Sequence, residues 1–341
     1  MKIDIKQFRQ GDERQWTIPL LATDLPAGVM PLFVNRDNLL HHVGTAFLIS
    51  AAGVIATAAH CIMHALWVHG FEAHEFPPGK VYDLLQTRVK LSVLHIQNDG
   101  QRAVFSIWSV ANAQIAHPTD VAFGCLHDVD APTARTTPVL TFAVPAPDSW
   151  IYAIGYPQNQ LPPIDLNMAS EGQFDWTAYQ PTLLAAIGQV RGLLLQGCEP
   201  VAKGPCIVTD CATSAGMSGG PVFSEAGVCG VVTSNVYLPD GREGSALSLF
   251  YPTLPISLNL VWNPNPEFQL ATSLPLITAA ERGLVKSDGT HALHRIVVDG
   301  EGFRVDPLIH RDHLAHVFDN RRDFCDGRRS RPQVPPRNLN G

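Results

Sequence analysis

The chain has 341 residues, 45% of them hydrophobic and 16% charged, enough for a sizeable core and for two packed units. Its 27 glycines and 27 prolines stay below the level of low-complexity chains, which excludes disorder as the main state. A net charge of −7 argues against a general binder of nucleic acid or anionic membrane and leaves room only for a local basic patch.

Residues 1–27 are polar and then turn-rich, and read as a leader that packs on the body. They carry no apolar signal-peptide core, and no run approaches the ~18 apolar residues of a membrane helix, so the expected location is cytoplasmic. From about residue 28, short apolar segments alternate with turns. Gly44–Ser50 and Val54–Ala59, joined across Ala51-Ala-Gly, predict a tight hairpin, with a short helical turn after His60. Further strands are expected at 88–96, 102–110, 121–126, 138–144, 150–154, 187–195, 206–209, 221–223 and 228–233. The stretch 66–84 reads as a loop insertion. Strands at this spacing, with no long helical patterns between them, predict a sandwich or barrel rather than a parallel sheet. Prolines and asparagines around 252–266 mark a boundary. After it come a helix ending at Gly283 and a hairpin over 295–305 turning at Asp299-Gly300. Residues 321–341, rich in Arg and Pro, read as a disordered basic tail, the one place for a nucleic-acid contact. The expected units are 1–27, 28–135, 136–262, 263–320 and 321–341.

The seven cysteines, Cys61, Cys125, Cys198, Cys206, Cys211, Cys229 and Cys325, form no C-x-x-C pair and read as buried free thiols. Cys198 and Cys206 are the two that an oxidising compartment could join. The histidines around His41-His42, His60, His64, His69 and His74 invite a metal reading, as do His310, His313 and His316. No glutamate stands next to His60 as a zincin motif requires, so neither a metal nor a cofactor is expected.

Three segments carry the chemistry. Thr57-Ala-Ala-His60-Cys61 ends a strand, His117-Pro-Thr-Asp120 opens one, and Gly216-Met-Ser218-Gly-Gly-Pro221 is a glycine-rich turn between two strands. A serine hydroxyl is a poor nucleophile until an imidazole takes its proton, and the imidazole needs a carboxylate to fix its tautomer. A developing oxyanion needs convergent backbone N–H donors, here those of Gly216 and Ser218. Gly-x-Ser-x-Gly also suits an α/β-hydrolase elbow, but that fold places its acid and histidine after the serine and follows the serine with a helix. Pro221 and β-forming residues follow Ser218 instead.

In the order His60, Asp120, Ser218 these segments resemble the trypsin/chymotrypsin superfamily of serine proteases over roughly residues 30–260. Thr209–Val222 and Ile151-Tyr-Ala-Ile-Gly-Tyr-Pro157 are similar to its bacterial HtrA-type branch, without room for a PDZ domain. The resemblance implies an all-β fold: two antiparallel six-stranded barrels with a cleft between them, followed here by a small C-terminal α/β appendage. It implies a serine endopeptidase with His60 as base, Asp120 as its orienter and Ser218 as nucleophile. It makes protein or peptide the substrate and a regulatory protein a partner. The alternative is a catalytically silent binding or scaffold module on the same fold. By resemblance Ala212, Thr213, Thr233, Ser234 and Asn235 line the substrate site, with the Thr233 hydroxyl turned towards Asp120. Ala212 stands where a trypsin carries its pocket aspartate, and Val232 where glutamate-specific members carry histidine. An apolar or small side chain before the scissile bond is therefore expected. Cys61 follows His60 as in trypsins but has no cysteine within 30–50 to pair with.

Overall fold

The computed structural model describes residues 15–18, 28–72, 79–86, 88–98, 103–127, 137–158, 161–198, 202–259, 273–299 and 302–306. The basic tail, His74 and His310–His316 lie outside them. In chain order the elements are β1 (Gln15–Ile18), β2 (Val29–Arg36), β3 (Leu39–Leu48), β4 (Val54–Ala58), α1 (Ala59–Val68), β5 (Val81–Asp83), β6 (Leu91–Asn98), β7 (Ala103–Ala116) and β8 (Val121–Leu126). There follow β9 (Trp150–Gly155), β10 (Ile164–Asp165), α2 (Leu166–Ser170), β11 (Leu183–Leu194), β12 (Gly197–Cys198), β13 (Ala202–Lys203), β14 (Cys206–Thr209), β15 (Pro221–Phe223), β16 (Val228–Tyr237) and β17 (Glu243–Leu249). The chain closes with β18 (Ser257–Asn259), β19 (Ser273–Pro275), α3 (Leu276–Glu281), β20 (Arg295–Asp299) and β21 (Gly302–Asp306).

Two sheets close on themselves. In the first, β3-β2-β6-β7-β8-β4 run antiparallel and the β3–β4 pairing shuts the barrel; in the second, β9-β11-β14-β17-β16-β15 do the same, shut by β9–β11. Closure removes the exposed edges that an open sheet of this size would leave. The fold is all-β, as two antiparallel six-stranded barrels. β1 adds to β11, β10 to β3 and β5 to β7 at the margins.

The first-barrel strands are apolar on both faces, and side-chain alternation assigns each face a role. Met30, Leu32 and Val34 of β2, with Ala46 and Leu48 of β3, fill the first barrel together with Cys61, Ile62, Ala65 and Leu66 of α1. Phe33, Phe47, Val54, Ala56 and Phe123 point the other way and join the core of the second barrel. Phe250, just after β17, is the wedge between them, its ring 6.2 Å from Phe47 and 6.4 Å from Phe123. A double-sided burial of this kind makes the two barrels one packed body whose cleft is held at fixed spacing.

The C-terminal appendage packs on the second barrel. Leu258, Leu274, Leu276, Ala279 and Val285 share its core, and Leu140 accepts and donates backbone hydrogen bonds with Asp288 and Lys286. α3 ends at Gly283 as the sequence suggests, and β20–β21 form the expected hairpin. The stretch 138–144 is not a strand. It makes only isolated parallel bridges, from Leu140 to Val228 and to Ser287, and Pro138 and Pro145, which lack a backbone N–H, bound it. α1 is a ten-residue helix rather than a turn, and so takes up the start of the supposed insertion at 66–84. Cys61, Cys125, Cys206, Cys211 and Cys229 are buried free thiols. Among the described residues no helix is long and apolar enough to cross a membrane.

Candidate active site

β4 hands directly into α1, so His60 leaves the barrel at a strand-to-helix corner, while Asp120 stands at the entry of β8, the strand paired with β4. Pairing of β4 with β8 therefore brings the two side chains together. The Asp120 carboxylate accepts twice from the same residue: Oδ2 from His60 Nδ1 at 2.7 Å and Oδ1 from the His60 backbone N–H at 2.9 Å. The Asp120 carbonyl accepts from Ala59 N–H at 3.0 Å. A carboxylate gripping both ring and backbone leaves the imidazole one orientation and one tautomer.

The Asp120 side chain is 10% exposed, the His60 side chain 47%. What burial the imidazole has disfavours its charge, but the hydrogen bond to Asp120, with smaller help from Cys61, outweighs this. The ring's pKa is held above the ordinary 6.5.

Ser218 sits in the turn before β15. Its backbone carbonyl accepts from Thr45 N–H at 2.7 Å and from the Cys61 thiol at 3.7 Å, so the first barrel grips the turn beside His60. Gly219, at φ +84°, lets the chain reverse there; a Cβ on it would collide with the Thr45 carbonyl and the Thr57 hydroxyl. Gly216 is also left-handed, at φ +92°. Among the described residues neither the Gly216 nor the Ser218 N–H has a hydrogen-bond partner, which leaves both donors free for a ligand. Ser218 Oγ donates to the Thr233 carbonyl at 3.3 Å and makes no hydrogen bond to His60.

Thr233 occupies a bulge in β16, where the register with β17 shifts between Val232 and Ser234. The bulge turns its carbonyl to Ser218. Its hydroxyl, expected to face Asp120, donates instead to Ser248 Oγ at 2.9 Å and accepts from Ser248 N–H. Ser248, buried on β17, sits opposite the bulge and captures it. Thr213 shares its hydroxyl with Asn235 Oδ1 at 2.8 Å and Ser245 Oγ at 2.7 Å, and Ser245 in turn donates to the Cys211 carbonyl. Thr213 and Asn235 are thus tied to each other; Ala212 and Ser234 are half-buried beside them, and Asn235 is exposed.

Two supports were not apparent in the sequence. The Thr45 hydroxyl donates to the Gly216 carbonyl and accepts from Tyr156 N–H, both at 2.9 Å, and so pins the Gly216–Ser218 turn to both barrels. Arg191, the extra residue of a bulge in β11, donates to buried Asp210 Oδ2 at 2.6 Å, and Asp210 Oδ1 accepts from Gln189 N–H at 2.6 Å. That pair anchors the strand end from which the Cys211–Ser218 loop departs. For Thr45, the signal was its place two residues before Phe47 in a strand facing the glycine-rich turn, a tertiary fact that spacing does not carry. Among the described residues no three metal-ligating side chains gather closely enough to share an ion.

Two closed six-stranded barrels, with a His–Asp pair on one and a serine in a glycine-rich turn on the other, define the chymotrypsin-like class of fold. Residues 44–231, more than half the chain, match the trypsin-like peptidase domain, and the chain belongs to that family. Among solved structures it is similar to the MamO protease domain of Magnetospirillum magneticum (13% identity, TM-score 0.43, 66% of this chain and 93% of that one). It is similar to Deg5 (17% identity, TM-score 0.40, 62% and 80%) and to the active form of the Rv3671c protease of M. tuberculosis (16% identity, TM-score 0.37, 65% and 76%). No curated protein matches the chain.

Proposed function

We propose that this protein is a serine endopeptidase in which His60, Asp120 and Ser218 act as a triad. The observation that carries the reading is the 2.7 Å contact of His60 Nδ1 with Asp120 Oδ2, which frees the opposite ring nitrogen to serve as base beside Ser218. The Ser218 oxygen attacks the peptide carbonyl carbon as its proton passes to His60. The carbonyl oxygen takes the negative charge and receives the Gly216 and Ser218 N–H groups. His60 then gives the proton to the departing amine, leaving an acyl-enzyme that water hydrolyses by the same route in reverse. Among the described residues β16 pairs only with β17 beyond Thr233, and its other edge suits an extended peptide; the residues assigned to the acyl-side pocket, Ala212, Thr213, Ser234 and Asn235, carry no charge. An uncharged side chain before the scissile bond follows. A regulatory protein partner remains part of the reading.

One observation favours the silent-module alternative: the Ser218 hydroxyl is bonded to Thr233 rather than to His60. Catalytic hydrogen bonds are often unmade until substrate arrives, so the contact is compatible with both readings. A fluorophosphonate probe separates them. A protease labels at Ser218, with labelling lost in Ser218→Ala and reduced by several orders of magnitude in His60→Ala. Wild-type protein that resists the probe as fully as Ser218→Ala is a binding module.

A further inference from the structure

Against β3 and α1 lies a half-open cavity of about 360 Å3. Arg36 of β2, His41 and His42 of β3 and His64 of α1 line it with Gln158 and Leu161, and no carboxylate is among its described lining residues.

His42 sets this cavity apart. It is 8% exposed, tilted against the Phe33 ring at 5.7 Å, and neither of its ring nitrogens has a hydrogen-bond partner. Burial pushes its pKa down to about 4; the nearby Gly44 carbonyl offsets part of this, although neither nitrogen bonds to it. Buried polar groups in folded proteins are almost always satisfied, because one left without a partner loses its hydration with nothing in return. A buried imidazole with no protein partner at the wall of a cavity is one that a polar group entering the cavity can satisfy.

The position of the cavity says which part of a ligand reaches it. β3 runs from His42 to Thr45, whose N–H holds the Ser218 carbonyl. His64 follows His60 by one helical turn and shares its face of α1. Gln158 N–H donates to the Ala215 carbonyl at 2.7 Å, next to the oxyanion donor Gly216. In the reaction above, His60 returns its proton to the departing amine. The leaving half of the peptide therefore lies on the His60 side, away from Thr233 and β16.

We propose that this cavity takes a carboxylate side chain, aspartate or glutamate, from the leaving half of a peptide substrate. His42 is its buried hydrogen-bond donor, with the exposed His64 ring as a second polar group and Arg36, which also pairs with exposed Asp37 at 3.7 Å, supplying positive charge at the rim. The proposal rests on the protease reading for the direction of the chain. An arriving carboxylate accepts from the His42 ring N–H and favours the imidazolium over the neutral ring. A lysine in the same place is repelled by the Arg36 guanidinium, and an apolar side chain leaves both His42 nitrogens as they were.

The test uses full-length protein and paired peptides that differ only by glutamate or glutamine in the first three positions after the scissile bond, in competition and read by mass spectrometry. The expected preference for the glutamate peptide is roughly tenfold, the usual scale of one charge-assisted hydrogen bond. It falls to about one in His42→Phe and by several-fold in His64→Gln. The exposed His64 variant reports even where the core variant does not fold. Equal cleavage of both peptides by the wild type, or a preference that survives both substitutions, overturns the proposal. The fluorophosphonate probe reads the protease assignment separately. With protein that does not label, ring-nitrogen NMR decides the cavity: a His42 shift with the glutamate peptide but not the glutamine peptide supports it, and no shift overturns it.

Discussion

His60 and His42 stand on adjoining elements of the same barrel and are treated oppositely. His60, at the β4–α1 corner, is half exposed, yet the Asp120 carboxylate holds its proton affinity up. His42, on β3, is buried with no partner, and burial alone drives its affinity down. The difference teaches that a charged partner rather than depth decides which imidazole can accept a proton near neutrality. It also separates roles: a ring already oriented is equipped to move a proton, and a ring left unsatisfied is equipped to meet a ligand.

The most damaging way to break the contrast is to remove its cause. Asp120→Asn keeps the shape but not the charge, and should lower fluorophosphonate labelling by about 10⁴-fold, the scale of the corresponding change in the triad template. The sign with pH follows from the raised pKa of His60: the protonated ring persists above pH 6.5, and only the neutral ring is a base. Wild-type labelling should therefore climb with pH through a midpoint above 6.5. In Asp120→Asn the His60 midpoint, followed by NMR, should move down. A midpoint that stays in place would show that the carboxylate is not what raises it.

A smaller effect is expected at Thr45, the residue that ties the two regions together. Thr45→Val leaves the Gly216 carbonyl and the buried Tyr156 N–H without their shared hydroxyl, and should cost about 2 kcal/mol in denaturant unfolding. Labelling should slow as well, because the Gly216 donor loses its brace. Stability that falls while labelling is untouched would confine Thr45 to packing.

The smallest effect has the opposite sign. His42→Phe replaces an unsatisfied polar ring with an apolar one beside Phe33 and an open cavity, and should raise stability by about 1 kcal/mol without ligand. A thermal melt that shifts downward instead would mean that His42 already has a partner in the resting protein.

How much of this was legible depended on range. β8, β14 and β15 fall where the sequence places them, since each is a short apolar run bounded by turn residues and buried along its whole length. β17 was not visible. Glu243–Leu249 alternates serines and small residues, and Ser245 and Ser248 are fully buried because they bond Thr213 and Thr233 across the sheet. A serine satisfied by a tertiary partner has the same letter as one left in a loop. The Thr233 hydroxyl went astray for the same reason: a bulge at Thr233 itself and Ser248 on the adjacent strand β17 decide where it points.

The amino-acid sequence by itself determined the order His60, Asp120, Ser218, the glycines that let the Ser218 turn reverse, and the strand rhythm of an all-β protein. All of these are local, written in residue type and spacing. Only the tertiary structure decided that Thr45 braces the Gly216–Ser218 turn, that Arg191 neutralises Asp210, and that His42 is buried without a hydrogen-bond partner at the wall of a cavity. Hydrogen-bond partners and burial are set by what packs alongside, and that is known only once both barrels have closed.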